Sequence, residues 1–175
     1  MLDNSTTLWY NNNTKERRTL KMKDIKEKAI YFDMDGTIAN LYAVENWLPM
    51  LRAFNPAPYE QAKVMVNMRQ LARLLNKLQK QGWRIGIVSW LSKQPTKEYD
   101  MAVQKAKYTW LYKHLPSVEF DEIKIVAHGT PKATVVEHPN GILFDDEQPN
   151  RTAWKGQAYD EKAILEILKN LSKIA

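Results

Sequence analysis

Ala29-Ile30-Tyr31-Phe32-Asp33-Met34-Asp35-Gly36-Thr37-Ile38 joins an apolar tetrapeptide to two carboxylates and a glycine turn. Four apolar residues bounded by a turn signal predict a short strand buried on both faces. The acids then fall where such a strand ends, one at its tip and one two residues on. A carboxylate held at a strand end can attack phosphorus, and a second beside it can move protons, so the pattern is equipment for phosphoryl transfer through an aspartate. Asp-x-Asp-Gly can also open a calcium loop, but an EF-hand needs further acids and a glutamate at its twelfth position, where this chain has Val44. The calcium reading fails.

Outward from that stretch, strand and helix signals alternate. Leu41 to Arg52 looks helical, and Asn55-Pro56-Ala57-Pro58 breaks it. Val64, Met68, Leu71, Leu74, Leu75 and Leu78 recur at helical spacing, with Gly82 as the stop. Arg84 to Ser89 predicts a second buried strand, Glu98 to Leu115 a helix, and Ile123 to Ala127 and Gly141 to Phe144 two more strands. A last helix with Ile164, Ile167, Leu168 and Leu171 on one face is capped from about Asp160. Short apolar strands separated by helices predict a Rossmann-like three-layer α/β/α fold around a parallel sheet. In such sheets ligands bind beyond the carboxyl ends of the strands. That rule gathers Asp33 with Asp35, then Ser89, then His128-Gly129-Thr130-Pro131-Lys132, then Asp145 with Asp146 onto one rim. Lys124 is a weaker candidate than Lys132 because it lies inside an apolar strand rather than after one.

These four groups, in this order, resemble the motifs of the haloacid dehalogenase-like (HAD) hydrolase superfamily, over roughly Ala29 to Ile174. The resemblance implies a magnesium-dependent phosphatase. Asp33 would be the nucleophile that forms an aspartyl-phosphate and Asp35 the general acid and base. Gly36 and Thr37 would form the turn over the site, Ser89 would hydrogen-bond the phosphoryl oxygens, and Lys132 would pair with both phosphoryl group and nucleophile. Magnesium would sit between the Asp33 carboxylate, the Asp35 backbone carbonyl and the pair Asp145/Asp146, with one of the pair as direct ligand and the other orienting Lys132 or a metal-bound water. Oxygen-only ligands suit hard magnesium. Gly129 to Lys132 and Leu143 to Glu147, with Asp33 to Trp47 and Ser89-Trp90, look like the 5'(3')-deoxyribonucleotidase branch and small phage or prophage HAD phosphatases. The segment that selects substrate is shorter here.

Ala39 to Gly82 spans 44 residues. With a core helix near its end, roughly 15 to 25 remain for a lid, and a minimal cap is expected at about 39–60. Asn40, Tyr42, Trp47 and Trp90 stand beside the first two motifs. An aromatic there can stack a nucleobase or pack the lid onto the core, Trp90 being counted among the substrate-binding residues. The substrate expected is a small phosphorylated molecule, a nucleotide 5'- or 3'-monophosphate first. A polynucleotide 3'-phosphatase and a non-catalytic binding protein are the alternatives.

Composition bounds these readings. The chain has 175 residues, 44% hydrophobic, enough for one domain with a real core. It contains no cysteine, which excludes disulfides and thiolate metal sites and fits a reducing cytoplasm. No apolar stretch approaches the length that spans a bilayer, so no membrane role is expected. The net charge is +6, and residues 15–28 hold seven basic residues against three acidic ones. Residues 1–28 therefore read as a basic lead-in, partly flexible, able to touch nucleic acid. His114, His128 and His138 lack zinc-ligand spacing. Arg151 reads as a second phosphate contact or a turn ion pair, and Trp110 and Trp154 as packing residues.

Overall fold

The computed structural model describes residues 26–94 and 96–174. The basic lead-in therefore lies almost wholly outside the described residues. Five strands form one parallel sheet: β1 (Ala29–Phe32), β4 (Arg84–Trp90), β5 (Glu122–Val126), β6 (Ile142–Phe144) and β7 (Gln157–Tyr159), in the order β5-β4-β1-β6-β7. A two-stranded ribbon pairs β2 (Ala39–Asn40) with β3 (Lys63–Val64). The helices are α1 (Trp47–Arg52), α2 (Ala57–Gln61), α3 (Met68–Lys80), α4 (Lys97–His114), α5 (Gln148–Ala153) and α6 (Ile164–Ile174).

β1 lies at the centre because it can be buried on both faces. Ile30 stands between Ile85 and Ile142, and Phe32 between Ile87 and Phe144. Ile30 and Phe32 point into a cluster with Leu71, Leu75 and Leu78 of α3, Trp110 and Leu111 of α4, and Ile164 and Leu168 of α6. Ala29 and Tyr31 point the other way, against Val88, Leu143, Ala133 and Trp154. The two faces are covered unequally: three long helices on one, a 3-10 turn at Lys132–Thr134 and short α5 on the other. Trp154 completes the thin side, its ring edge-on to Tyr31 and its indole N–H donating to the Gly141 carbonyl at 3.0 Å.

Several elements differ from the sequence-based expectation, the β2–β3 ribbon among them. The predicted helix over 41–52 is a 3-10 turn at Leu41–Ala43 followed by α1, with Asn46 between them at φ +55. Pro56 and Pro58 do not merely break structure: Pro56 caps α2 and Pro58 sits in its first turn, where a missing N–H costs nothing. β7 was not expected at all. Its alanine and flanking polar residues are only half-buried, as befits an edge strand with no apolar run to announce it.

Between β1 and α3, residues 39–66 form a small layer above the strand ends. Leu41, Leu51 and Tyr59 pack on Tyr99, Val103 and Ala106 of α4. The fully buried Trp110 ties the layer down, its indole N–H donating to the Ala62 carbonyl at 2.7 Å. No helix among the described residues is long and apolar enough to cross a membrane.

Candidate active site at the carboxyl edge of the sheet

The turn after β1 folds around one carbonyl. Met34 O accepts from the amides of Thr37, Ile38 and Ala39 at 3.2, 3.0 and 2.8 Å. The buried Met34 side chain anchors the loop below, and Gly36 at φ +79 supplies the left-handed corner. Asp33 extends the sheet, its amide donating to Phe144 O at 2.9 Å, so its carboxylate leaves the edge in line with β1.

Lys132, in the 3-10 turn after β5, reaches the same point. Its Nζ lies 2.9 Å from Asp33 Oδ1 and 2.6 Å from Asp145 Oδ2, with the lysine side chain only 3% exposed. Asp145 is fully buried and heavily held: Oδ1 accepts the Glu147 amide at 2.9 Å, and Asn150 Nδ2 lies 3.2 Å from both oxygens. Asp146 is differently placed. Its Oδ1 accepts from Thr37 Oγ1 at 3.2 Å, while its amide donates back to that hydroxyl at 3.0 Å. Arg151 fixes the peptide between them, donating to the carbonyls of Asp145 and Asp146 at 2.7 Å each, which is neither of the two roles expected for it.

Carboxylate oxygens of Asp33, Asp145 and Asp146 lie within 4.8 Å of one another, a set able to hold a metal ion. Three carboxylates against one ammonium leave an excess of negative charge in a buried place. Burial, then the Asp33 and Asp145 charges, push Asp146 up to about 7. Asp145 is also raised, by burial first and Asp33 second, although Lys132 pulls the other way. Lys132 is itself raised because its two carboxylate partners outweigh burial. Ion pairing alone would lower Asp145; burial, with the Asp33 charge behind it, outweighs the pairing, so Asp145 and Asp146 hold protons more readily than ordinary carboxylates. All ligand atoms are carboxylate oxygens, which fits a hard divalent cation.

Asp35 stands apart from that trio. Its Oδ2 accepts from Lys107 Nζ at 2.7 Å, and burial raises its pKa despite that neighbour. Lys107, on α4, was not singled out in the sequence, yet it is fully buried and also donates to Ser89 Oγ at 2.8 Å and Trp90 O at 2.7 Å. Its signal was Tyr99, Val103, Lys107 and Leu111 at four-residue steps, a lysine interrupting an apolar stripe. Ser89 is buried beneath the rim. Trp90 has its indole N–H on Thr130 O at 2.8 Å and its ring 5.0 Å from Lys132 Nζ, and it packs on His128.

A cavity of about 490 Å³ opens above Asp33, Asp35 and Lys132. Tyr42, Trp47, Leu48, Leu51 and Tyr59 from the 39–66 layer wall one side, Trp90 and His128 the other, and Arg52 and Lys93 bring positive charge.

No protein-family model and no curated protein matches the sequence. Among solved structures, D,D-heptose 1,7-bisphosphate phosphatase from Burkholderia thailandensis aligns with TM-score 0.52 at 10% identity, covering 82% of this chain and 97% of that one. A structural-genomics target from Vibrio cholerae aligns with TM-score 0.44 at 17% identity, covering 83% and 97%. The first likeness, at its low identity, speaks to architecture alone, a parallel sheet of five strands flanked by helices. The chain has the haloacid dehalogenase-like fold.

Proposed function

We propose that the protein is a magnesium-dependent phosphomonoesterase that works through an aspartyl-phosphate on Asp33. The observation that carries this reading is the linked set Asp145–Lys132–Asp33 at the cavity floor with Asp35 beside it. Magnesium, held by Asp33, the Asp35 carbonyl and Asp146, would neutralise phosphoryl oxygens. Asp146 is the better direct ligand, since the oxygens of Asp145 are occupied by Lys132, Asn150 and the Glu147 amide. Asp145 then orients Lys132.

Asp33 attacks phosphorus, the bond to the ester oxygen breaks, and Asp35 gives that oxygen its proton. Asp35 next takes a proton from the water that attacks phosphorus, which frees inorganic phosphate and restores the Asp33 carboxylate. Lys132 meets the negative charge on the phosphoryl oxygens, and the Ser89 hydroxyl, which accepts from Lys107, keeps its own proton for donation.

A cavity of about 490 Å³ with aromatic walls suits a small ligand with a planar group. That favours a nucleoside monophosphate over a polynucleotide end. The test is phosphate release from nucleoside monophosphates, sugar phosphates and 3'-phosphorylated oligonucleotides, with and without magnesium, beside Asp33→Asn. Metal-dependent release lost in the variant is expected. Release unaffected by Asp33→Asn would overturn the reading, and preference for the oligonucleotides would replace its substrate.

A further inference from the structure

Lys107 presents a buried charge that the phosphatase reading above uses only through its bond to Ser89. It comes from the middle of α4, across the sheet from Lys132, and its side chain is 0% exposed. An ammonium has three hydrogens to donate, and all three are engaged: Ser89 Oγ at 2.8 Å, Trp90 O at 2.7 Å and Asp35 Oδ2 at 2.7 Å. The Tyr59 ring closes over it at 5.0 Å. Lys107 therefore has no donor left for a substrate and no path to one.

The three bonds divide by what holds them. Ser89 and Trp90 belong to β4, an interior strand, so two bonds lock the ammonium to the rigid sheet. The third is aimed at Asp35, which sits on a turn and would otherwise choose its own rotamer. Oδ2 is occupied and Asp35 lines the cavity, so Oδ1 is the oxygen left for a substrate. A proton-transferring carboxylate gains most when one oxygen is presented in a fixed direction, because misplacement by an ångström is costly.

We propose that Lys107 is a positioning residue for Asp35, turning one oxygen of its carboxylate toward the ester oxygen of the substrate. This rests on the phosphatase reading. It separates two lysines by role: Lys132 serves the nucleophile side, and Lys107 serves the proton-transfer side.

The leaving group supplies the test. A 4-nitrophenolate departs without a proton, whereas the alkoxide of a nucleoside 5'-monophosphate needs one, so in the first step, read as alcohol released within a single turnover, damage to Asp35 registers on the second ester alone; the water step that follows uses Asp35 for both. Positioned general acid catalysis contributes about 100-fold or more. Lys107→Met is expected to lower the single-turnover rate of alcohol release from the nucleoside monophosphate by about that factor while lowering it for 4-nitrophenyl phosphate less than about tenfold, with half-saturation for both little changed. Because Lys107→Met leaves the Asp35 carboxylate without its buried partner and risks folding, Asp35→Asn is compared with Asp35→Asn/Lys107→Met, which removes both charges. The double variant should show the same ratio between the two esters as Asp35→Asn alone. Equal losses on both esters in Lys107→Met, or a further change of that ratio in the double variant, would overturn the inference while leaving the phosphatase reading in place. Wild-type protein inactive on both esters would overturn both.

Discussion

Two glycines share one backbone conformation and differ in their surroundings, which allows local strain to be separated from the architecture of the site. Gly36 has φ +79 and Gly82 has φ +83. A Cβ on Gly82 would meet nothing within 4 Å, whereas one on Gly36 would lie 2.4 Å from Asp146 Oδ2, 2.7 Å from Asp146 Cγ and 2.7 Å from the Tyr42 ring. For an alanine, the left-handed conformation costs about 1–2 kcal/mol, partly offset by about 0.4–1 kcal/mol from a stiffer unfolded chain. Gly82→Ala should therefore lose about 0–1.6 kcal/mol. Gly36→Ala bears the same strain plus about 1–3 kcal/mol of overpacking. Its clash is relieved only if Asp146 leaves Thr37 or the Tyr42 ring lifts, and the first of these moves a proposed metal ligand. Urea unfolding of both variants, with and without magnesium, reads both effects. The expected result is a larger loss in Gly36→Ala by roughly 1–3 kcal/mol, together with a smaller stabilisation by magnesium than in Gly82→Ala. Equal losses and equal magnesium responses would refute the packing of Asp146 and Tyr42 over this turn.

Metal-free protein should lose stability as pH rises. Asp146 is pushed up to about 7 by burial and its acidic neighbours, so between the ordinary carboxylate range near about 4 and about 7 the native state holds a proton that the unfolded chain has released. Stability then falls through that window and levels off above it; the upward shifts of Asp35 and Asp145 act in the same direction. Melting temperatures against pH in chelator should show this fall, and Asp146→Asn should reduce it, whereas a rise through that window would contradict the charge arrangement. Lys132→Met leaves the buried carboxylates of Asp33 and Asp145 without their counter-ion, and should cost about 3–5 kcal/mol in chelator, with part of the loss recovered in magnesium. Trp110→Phe keeps the ring in the core but strips the Ala62 carbonyl of its donor, so urea unfolding should report a loss of about 1–3 kcal/mol; an unchanged midpoint would mean that the 39–66 layer is not tied to α4 through that bond.

The order of acids, serine and lysine along the chain was readable because each follows an apolar run, and a parallel sheet brings the ends of such runs to one edge. β7 and the β2–β3 ribbon were not, since strands of two or three residues, of which Ala39 alone is buried, carry no hydrophobic period. Lys107 was hidden for a different reason. Helix α4 has lysines at positions 97, 105, 107 and 113, and composition treats them alike as solvated. Only the four-residue steps from Tyr99 to Leu111 place one of them inward, and its partners lie 17, 18 and 72 residues away in the chain. Sequence likewise left Asp145 and Asp146 equivalent, because the bonds that distinguish them come from Thr37, Lys132 and Asn150.

The central claim is that Asp33 carries the phosphoryl group. The most direct measurement is to mix protein, magnesium and a hydrolysed phosphomonoester, quench within the first turnover, reduce with borohydride and map the peptides by mass spectrometry. Reduction of an acyl-phosphate converts the aspartate that bore it to homoserine, and the account predicts that conversion at position 33 and at no other acid. Turnover with Asp33 unconverted, or homoserine at Asp35, Asp145 or Asp146, would contradict it.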